Sequence, residues 1–165
     1  MKVIADLHIH SKYARACSRD LNPTNLAIWA DKKGISILGT GDFTHPKWLE
    51  ELKENLEESK NGLYKLKNSN SKTLFMLTTE LASIYKQGDK VRRVHNLVFA
   101  PNFAAVDKLV ELLEKRGVNL KSDGRPIMGV PCDELMRICK EADARIEIIP
   151  AHVWTPHFGV FGSLS

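Results

Sequence analysis

Short apolar runs alternate with amphipathic stretches along this chain, and most of the runs end in a histidine or an acid. "VIADLHI", from Val3 to Ile9, reads as a buried strand with a polar end. Asn22-Pro23-Thr24-Asn25 supplies turn and capping chemistry before "LAIWADKKG", a helix that Gly34 ends. "ISILGTGD" is the next strand and runs out into glycines and Asp42. "HPKWLEELKENLEESK" predicts one helix from His45 to Lys60, with Pro46 in its first turn and a charged outer face. Asn61 to Lys72 is polar and reads as a loop. "TLFMLTTELASIY" and "VRRVHNLVFA" read as a hairpin turning at Gln87-Gly88-Asp89. Val106, Leu109, Val110 and Leu113 share one helical face. A turn-rich stretch from Val118 to Val130 follows, then a helix in "PCDELMRICKEAD", a strand in "RIEIIPAHVW" and a tail without period. The alternation predicts an α/β fold with a largely parallel sheet, in one domain without internal repeats.

A chain of 165 residues can bury a substantial core. No run reaches the ~18 apolar residues that a membrane span needs. Asp6 stands where a signal peptide would continue its apolar region, so no export is expected. Cys17, Cys132 and Cys139 are odd in number and lack C-x-x-C spacing, which argues against a disulfide framework or a zinc ribbon. A reducing, cytoplasmic setting is the expectation. Cys132 and Cys139, seven apart on one helix, are expected to face the core together. The net charge of +4 permits a polyanionic partner, and equally suits an ordinary solvated surface.

In parallel α/β folds, chemistry gathers at the carboxyl ends of strands. Asp6, His8 and His10 fall at the end of the first strand, and Asp42 and His45 at the end of the second. Glu80 lies near the end of "TLFMLTTE", His95 in its hairpin partner, and His152 at the close of the last strand. On a strand, residues i and i+2 share a face, so His8 and His10 can reach one point. Imidazoles and carboxylates arriving from several strand ends suit a multinuclear site for zinc, iron or manganese. Asp6 alternatively orients a histidine. Asp42 and His45 compete for one ligand role, and Cys17 reads as a structural thiol rather than a ligand.

The motifs "DLHIHS", "GTGDFTHP", a glutamate after a strand, "HNLVFAP" and "PAHVWTP" together resemble the PHP family of metal-dependent phosphoesterases. "NLKSDGRPIMG" and "FGSLS" are similar in wording to its endonuclease Q subfamily. The resemblance implies a distorted (β/α)7 barrel and two or three divalent metal ions (zinc, manganese or iron). It also implies nicking of DNA 5′ of deaminated bases (hypoxanthine, uracil, xanthine) and at abasic sites, in DNA repair. It places metal ligands at His8, His10, Asp42, Glu80, His95 and His152, with His45 as a possible additional one. Glu80 bridges ions in that scheme, and Glu80 and Asp42 are the catalytic candidates. Hydrolysis would need no side-chain nucleophile, and no G-x-S-x-G motif is present. Lys12, Arg15 and Arg125 are candidate DNA contacts, with Arg19, Arg92, Arg93 and Lys121 as weaker ones.

Two departures stand out. Ala16 occupies a position where many members carry a further histidine, and the family's final Asp-x-His motif does not occur before Ser165. The expectation is a single PHP domain over residues 1–165, truncated before that last motif, with an incomplete barrel. Two alternatives remain at this point. One is a small-molecule phosphatase of the histidinol-phosphate kind; the other is a non-catalytic, metal-stabilised module that binds nucleic acid.

Overall fold

The computed structural model describes residues 2–165. Its elements are β1 (Ala5–Asp6), α1 (Pro23–Lys33), β2 (Ile37–Gly39), α2 (Pro46–Asn55), β3 (Leu56–Lys60) and β4 (Leu63–Leu66). There follow β5 (Leu74–Gln87), β6 (Lys90–Ala100), α3 (Phe103–Lys115), β7 (Ile127–Met128), α4 (Cys132–Ala142) and β8 (Glu147–Pro150). The fold is mixed α/β around an eight-stranded sheet.

Strand β5 organises that sheet. Its 14 residues span roughly 46 Å at the usual rise per residue, long enough to serve different neighbours at its two ends. The first half pairs in parallel with β2 and antiparallel with β4. The second half pairs antiparallel with β6 and in parallel with β7. Strand β1 adds in parallel outside β2, and β8 antiparallel outside β6. The expected largely parallel sheet is therefore corrected to a mixed one. Beyond the expected β5–β6 hairpin, the antiparallel pairs come from the β3–β4 hairpin, whose β4 lies against β5, and from β8, which runs antiparallel beside β6.

Leu77 to Ser83 of β5 is buried without interruption, as in a strand covered on both faces. Its alternate residues divide the work. Phe75, Leu77 and Leu81 face the apolar core, where they join Trp48 and Leu52 of α2, Val106 and Leu109 of α3, and Leu135 of α4. Met76, Thr78, Glu80, Ala82 and Ile84 form the opposite row, and that row carries the chemistry.

Local signals explain most helix ends. Asn22 accepts from the Asn25 N–H and Asn102 from the Ala105 N–H, each at 2.9 Å. Gly34 closes α1 in the left-handed conformation. Helix α2 departs from expectation: it stops at Asn55, and "LEESK" turns into β3. Leu56 then pairs with Leu66, and both are buried. Asn61 and Gly62 take positive φ values of 52° and 75° between Lys60 and Leu63, the conformation of a two-residue hairpin turn. The polar stretch read as loop thus begins with a hairpin, which Asn-Gly signals in the sequence.

The first and last strands are also shorter than expected. β1 ends at Asp6 and β8 at Pro150, so His8, His10 and His152 lie on segments beyond the strands. Of the cysteine pair on α4, Cys139 is fully buried while Cys132 is only half-buried at the helix start.

Candidate metal centre

Glu80 sits in the middle of β5 with 1% of its surface exposed, and nitrogen atoms converge on its carboxylate from five side chains. Oε1 lies 3.3 Å from His8 Nε2, 2.9 Å from His95 Nδ1 and 3.2 Å from His152 Nε2. Oε2 lies 3.2 Å from His10 Nε2 and accepts from Arg125 Nη1 at 3.2 Å. Each ligand candidate arrives for a structural reason. His95 is opposite Ala82 in the β5–β6 ladder, so it shares the face of Glu80 two residues away. Its ring is held by stacking on Phe158 at 4.3 Å between centroids. His152 follows Ala151, whose N–H donates to the His95 carbonyl. Its Nδ1 is paired with Thr155 Oγ1 at 3.1 Å, which leaves Nε2 for the cluster.

β1 ends before His8 and His10, so the expected strand does not place them on one face. They are brought together by what they touch instead. His10 Nδ1 is 2.9 Å from Asp42 Oδ1, and the other Asp42 oxygen accepts from Ser11 N and Ser11 Oγ at 2.6 and 2.7 Å. Asp42 is fully buried with φ of 49°, a left-handed backbone that aspartate tolerates better than most residues. Asp42, expected as a direct ligand, contacts His10 Nδ1, the ring nitrogen opposite the one facing Glu80. His45 is placed farther off: it precedes α2, stacks on Tyr13 at 4.4 Å and is buried. Burial pushes its imidazole below the ordinary histidine range. Asp6 accepts from the backbone N–H of His8 rather than from a ring.

The electrostatics follow from this crowding. Burial by itself would raise the Glu80 pKa, but the imidazoles of His10, His8 and His95 outweigh it and hold the group well below the usual carboxylate range. Hydrogen bonding to Asp42, then to Glu80, raises His10 to about 9. A carboxylate offers roughly four lone-pair sites, fewer than the five nitrogens assembled around Glu80. His10 faces a carboxylate through each ring nitrogen, whereas neutral imidazole can donate through only one.

Metal ions held among these groups would reconcile those contacts. Two three-residue groups, His8–His10–Glu80 and Glu80–His95–His152, each bring one ligand atom per residue within 4.8 Å of the others. Two ligands about 2.1 Å from one ion stand about 3.0 Å apart in octahedral and 3.4 Å apart in tetrahedral geometry. The imidazole-to-Glu80 separations, 2.9 to 3.3 Å, match that range closely. The donor set fits divalent metal ions, with Glu80 common to both groups.

The basic candidates separate. Arg125 touches the cluster. Lys12 is engaged by Glu51 at 2.8 Å, and Arg15 lines a cavity that also holds His95. Arg19, Arg93 and Lys121 are exposed and Arg92 is half-buried. Sequence reasoning missed Ser11 and Thr155, which brace the site, although Ser11 stands directly beside the H-x-H pair.

No family model matches the chain. An uncharacterised protein of Methanocaldococcus jannaschii is 35% identical over 151 residues, covering 92% of this chain and 16% of that protein. An uncharacterised protein of Bacillus subtilis is 28% identical over 173 residues, covering 98% of this chain and 43% of that protein. Among solved structures, the lesion-specific endonuclease PfuEndoQ from Pyrococcus furiosus superposes with a TM-score of 0.82 at 32% identity, covering 96% of this chain and 36% of that one. Endonuclease Q in complex with a 27-mer duplex substrate with an abasic lesion at the active site superposes with a TM-score of 0.81, also at 32% identity, covering 96% of this chain and 37% of that one. The chain spans less than half the length of each of these proteins and is similar in fold to endonuclease Q along nearly all of its own length.

Proposed function

We propose that residues 1–165 are a PHP-type domain of a metal-dependent DNA repair endonuclease. It hydrolyses phosphodiesters beside deaminated bases (hypoxanthine, uracil, xanthine) or at abasic sites. The observation that carries this reading is the buried Glu80 carboxylate with four imidazoles and a guanidinium directed at it. The likeness to a lesion-specific endonuclease, and to its complex with a duplex containing an abasic lesion, directs the reading to DNA.

His8, His10, Glu80, His95 and His152 would hold two divalent ions, and zinc, manganese and iron all suit nitrogen and carboxylate donors. Such ions supply Lewis-acid polarisation of a phosphoryl oxygen and a more acidic water. The protein supplies the rest. Asp42 keeps His10 in one orientation, and the β5–β6 ladder fixes Glu80 relative to His95. Glu80 is the only carboxylate in either group, so a loaded centre would keep excess positive charge for a phosphodiester to offset. Arg125 adds a fixed guanidinium at its edge.

The test is nicking of duplexes that carry one uracil, hypoxanthine or abasic site, with zinc or manganese supplied. A lesion-dependent nick is expected, reduced more than about a hundred-fold in Glu80→Ala. Metal-loaded protein that leaves every lesion duplex intact, or cuts undamaged duplex equally well, overturns the reading.

A further inference from the structure

Arg15, Asp123, Gly124 and Arg125 form a second construction beside the cluster. The Asp123 carboxylate accepts from two backbone N–H groups at once: Arg15 through Oδ2 at 3.1 Å and Arg125 through Oδ1 at 2.9 Å. It therefore ties together two segments more than a hundred residues apart. Gly124 lets them approach. A Cβ there would stand 2.7 Å from Asp42 Cγ and 2.9 Å from the Ala14 nitrogen, and the Gly124 N–H donates to the Tyr13 carbonyl at 3.0 Å.

Both arginines line one cavity of about 390 Å³. Ala82 and Ile84 of the Glu80 row line it, together with His95, Asp123, Ile127 and Phe158. The small Ala82 side chain leaves room beside Glu80. The cavity is lined by apolar side chains and two arginines, and the Asp123 carboxylate is occupied by the backbone N–H groups of Arg15 and Arg125; such a lining suits a sugar-phosphate unit of a nucleic-acid strand.

We propose that Asp123 is a clasp that fixes the Arg15 backbone against the Arg125 segment beside this cavity, where Arg15 binds the phosphate next to the one held at the metal centre while Arg125 keeps its contact with Glu80. Asp123 is a positioning residue and touches no substrate; Arg15 makes the contact. The assignment rests on the DNA reading and extends it with a named strand subsite.

The test is fluorescence anisotropy of an abasic-site duplex titrated with the protein over a range of salt concentrations. Arg15→Met is expected to reduce the slope of log affinity against log salt by about one. Asp123→Ala reduces it similarly, and Asp123→Asn, which keeps one acceptor oxygen, falls between. Adding Arg15→Met to Asp123→Ala costs less than about two-fold more, because the clasp and the arginine act as one unit. A purely structural Asp123 would give additive losses. Additive losses, an unchanged slope in Arg15→Met, or no duplex binding at all overturns the proposal. If Asp123→Ala does not fold, Asp123→Asn combined with Arg15→Met decides the same question. Binding with the expected slopes but no nicking removes the endonuclease reading alone. Nicking with an unchanged slope in Arg15→Met removes the clasp alone.

Discussion

At the scale of single residues, the site depends on a division between groups that face the cluster and groups that hold them. Asp42 belongs to the second kind, since both its oxygens are taken by His10 and Ser11. Asp42→Asn keeps the shape but replaces one acceptor oxygen with a donor. Metal affinity is expected to fall about 10- to 100-fold, read by competition with a chromophoric chelator. An unchanged affinity would mean that Asp42 does not support His10. Sequence spacing marked Asp42 as important, because an acid followed the glycines at a strand exit. Whether it would ligate or orient depended on the direction of its carboxylate, which spacing does not encode.

At the scale of elements, the helices were the most legible. Val106, Leu109 and Leu113 recur at helical spacing, and all three are buried under the sheet in α3. Leu109→Ala removes a fully buried side chain from that face and is expected to cost about 2–5 kcal/mol, measured by urea unfolding. A loss below about 1 kcal/mol would show that α3 does not anchor the core. The boundary between α2 and β3 was less legible. Glu57 to Lys60 has ample helix propensity, yet pairing of Leu56 with Leu66 through the Asn61-Gly62 turn buries apolar surface that a longer helix would leave exposed. Local preference of a few tenths of a kcal/mol per residue loses to that burial.

At the scale of the whole molecule, the cluster couples distant parts of the chain. His8 and His10 come from the start, Glu80 and His95 from the central hairpin, and His152 from beyond the last strand. An ion bound there crosslinks all three regions in the folded state alone, so stability rises with its free concentration. At one hundred times the dissociation constant the gain is about 2.7 kcal/mol, which for a chain of this size raises the melting temperature by about 5–10 °C. Differential scanning calorimetry with zinc or manganese against a chelator-treated sample checks this, and coincident melting curves would refute it. No helix among the described residues is long and apolar enough to cross a membrane.

The sequence by itself determined the helices, the central hairpin and the identity of the chemically competent side chains. These depend on periodicity, on caps such as Asn22 and Asn102, and on residue type, all of which are local. Only the tertiary structure decided the mixed pairing of β5, the placing of Asp42 behind His10 and of His45 beneath Tyr13, and the joining of Arg15 to Arg125 through Asp123. Those outcomes depend on which side chains meet across dozens of residues and on the burial and hydrogen bonding they gain by meeting. "ADLHIHS" named its histidines at once, but the point on which they converge is Glu80, seventy residues farther along the chain.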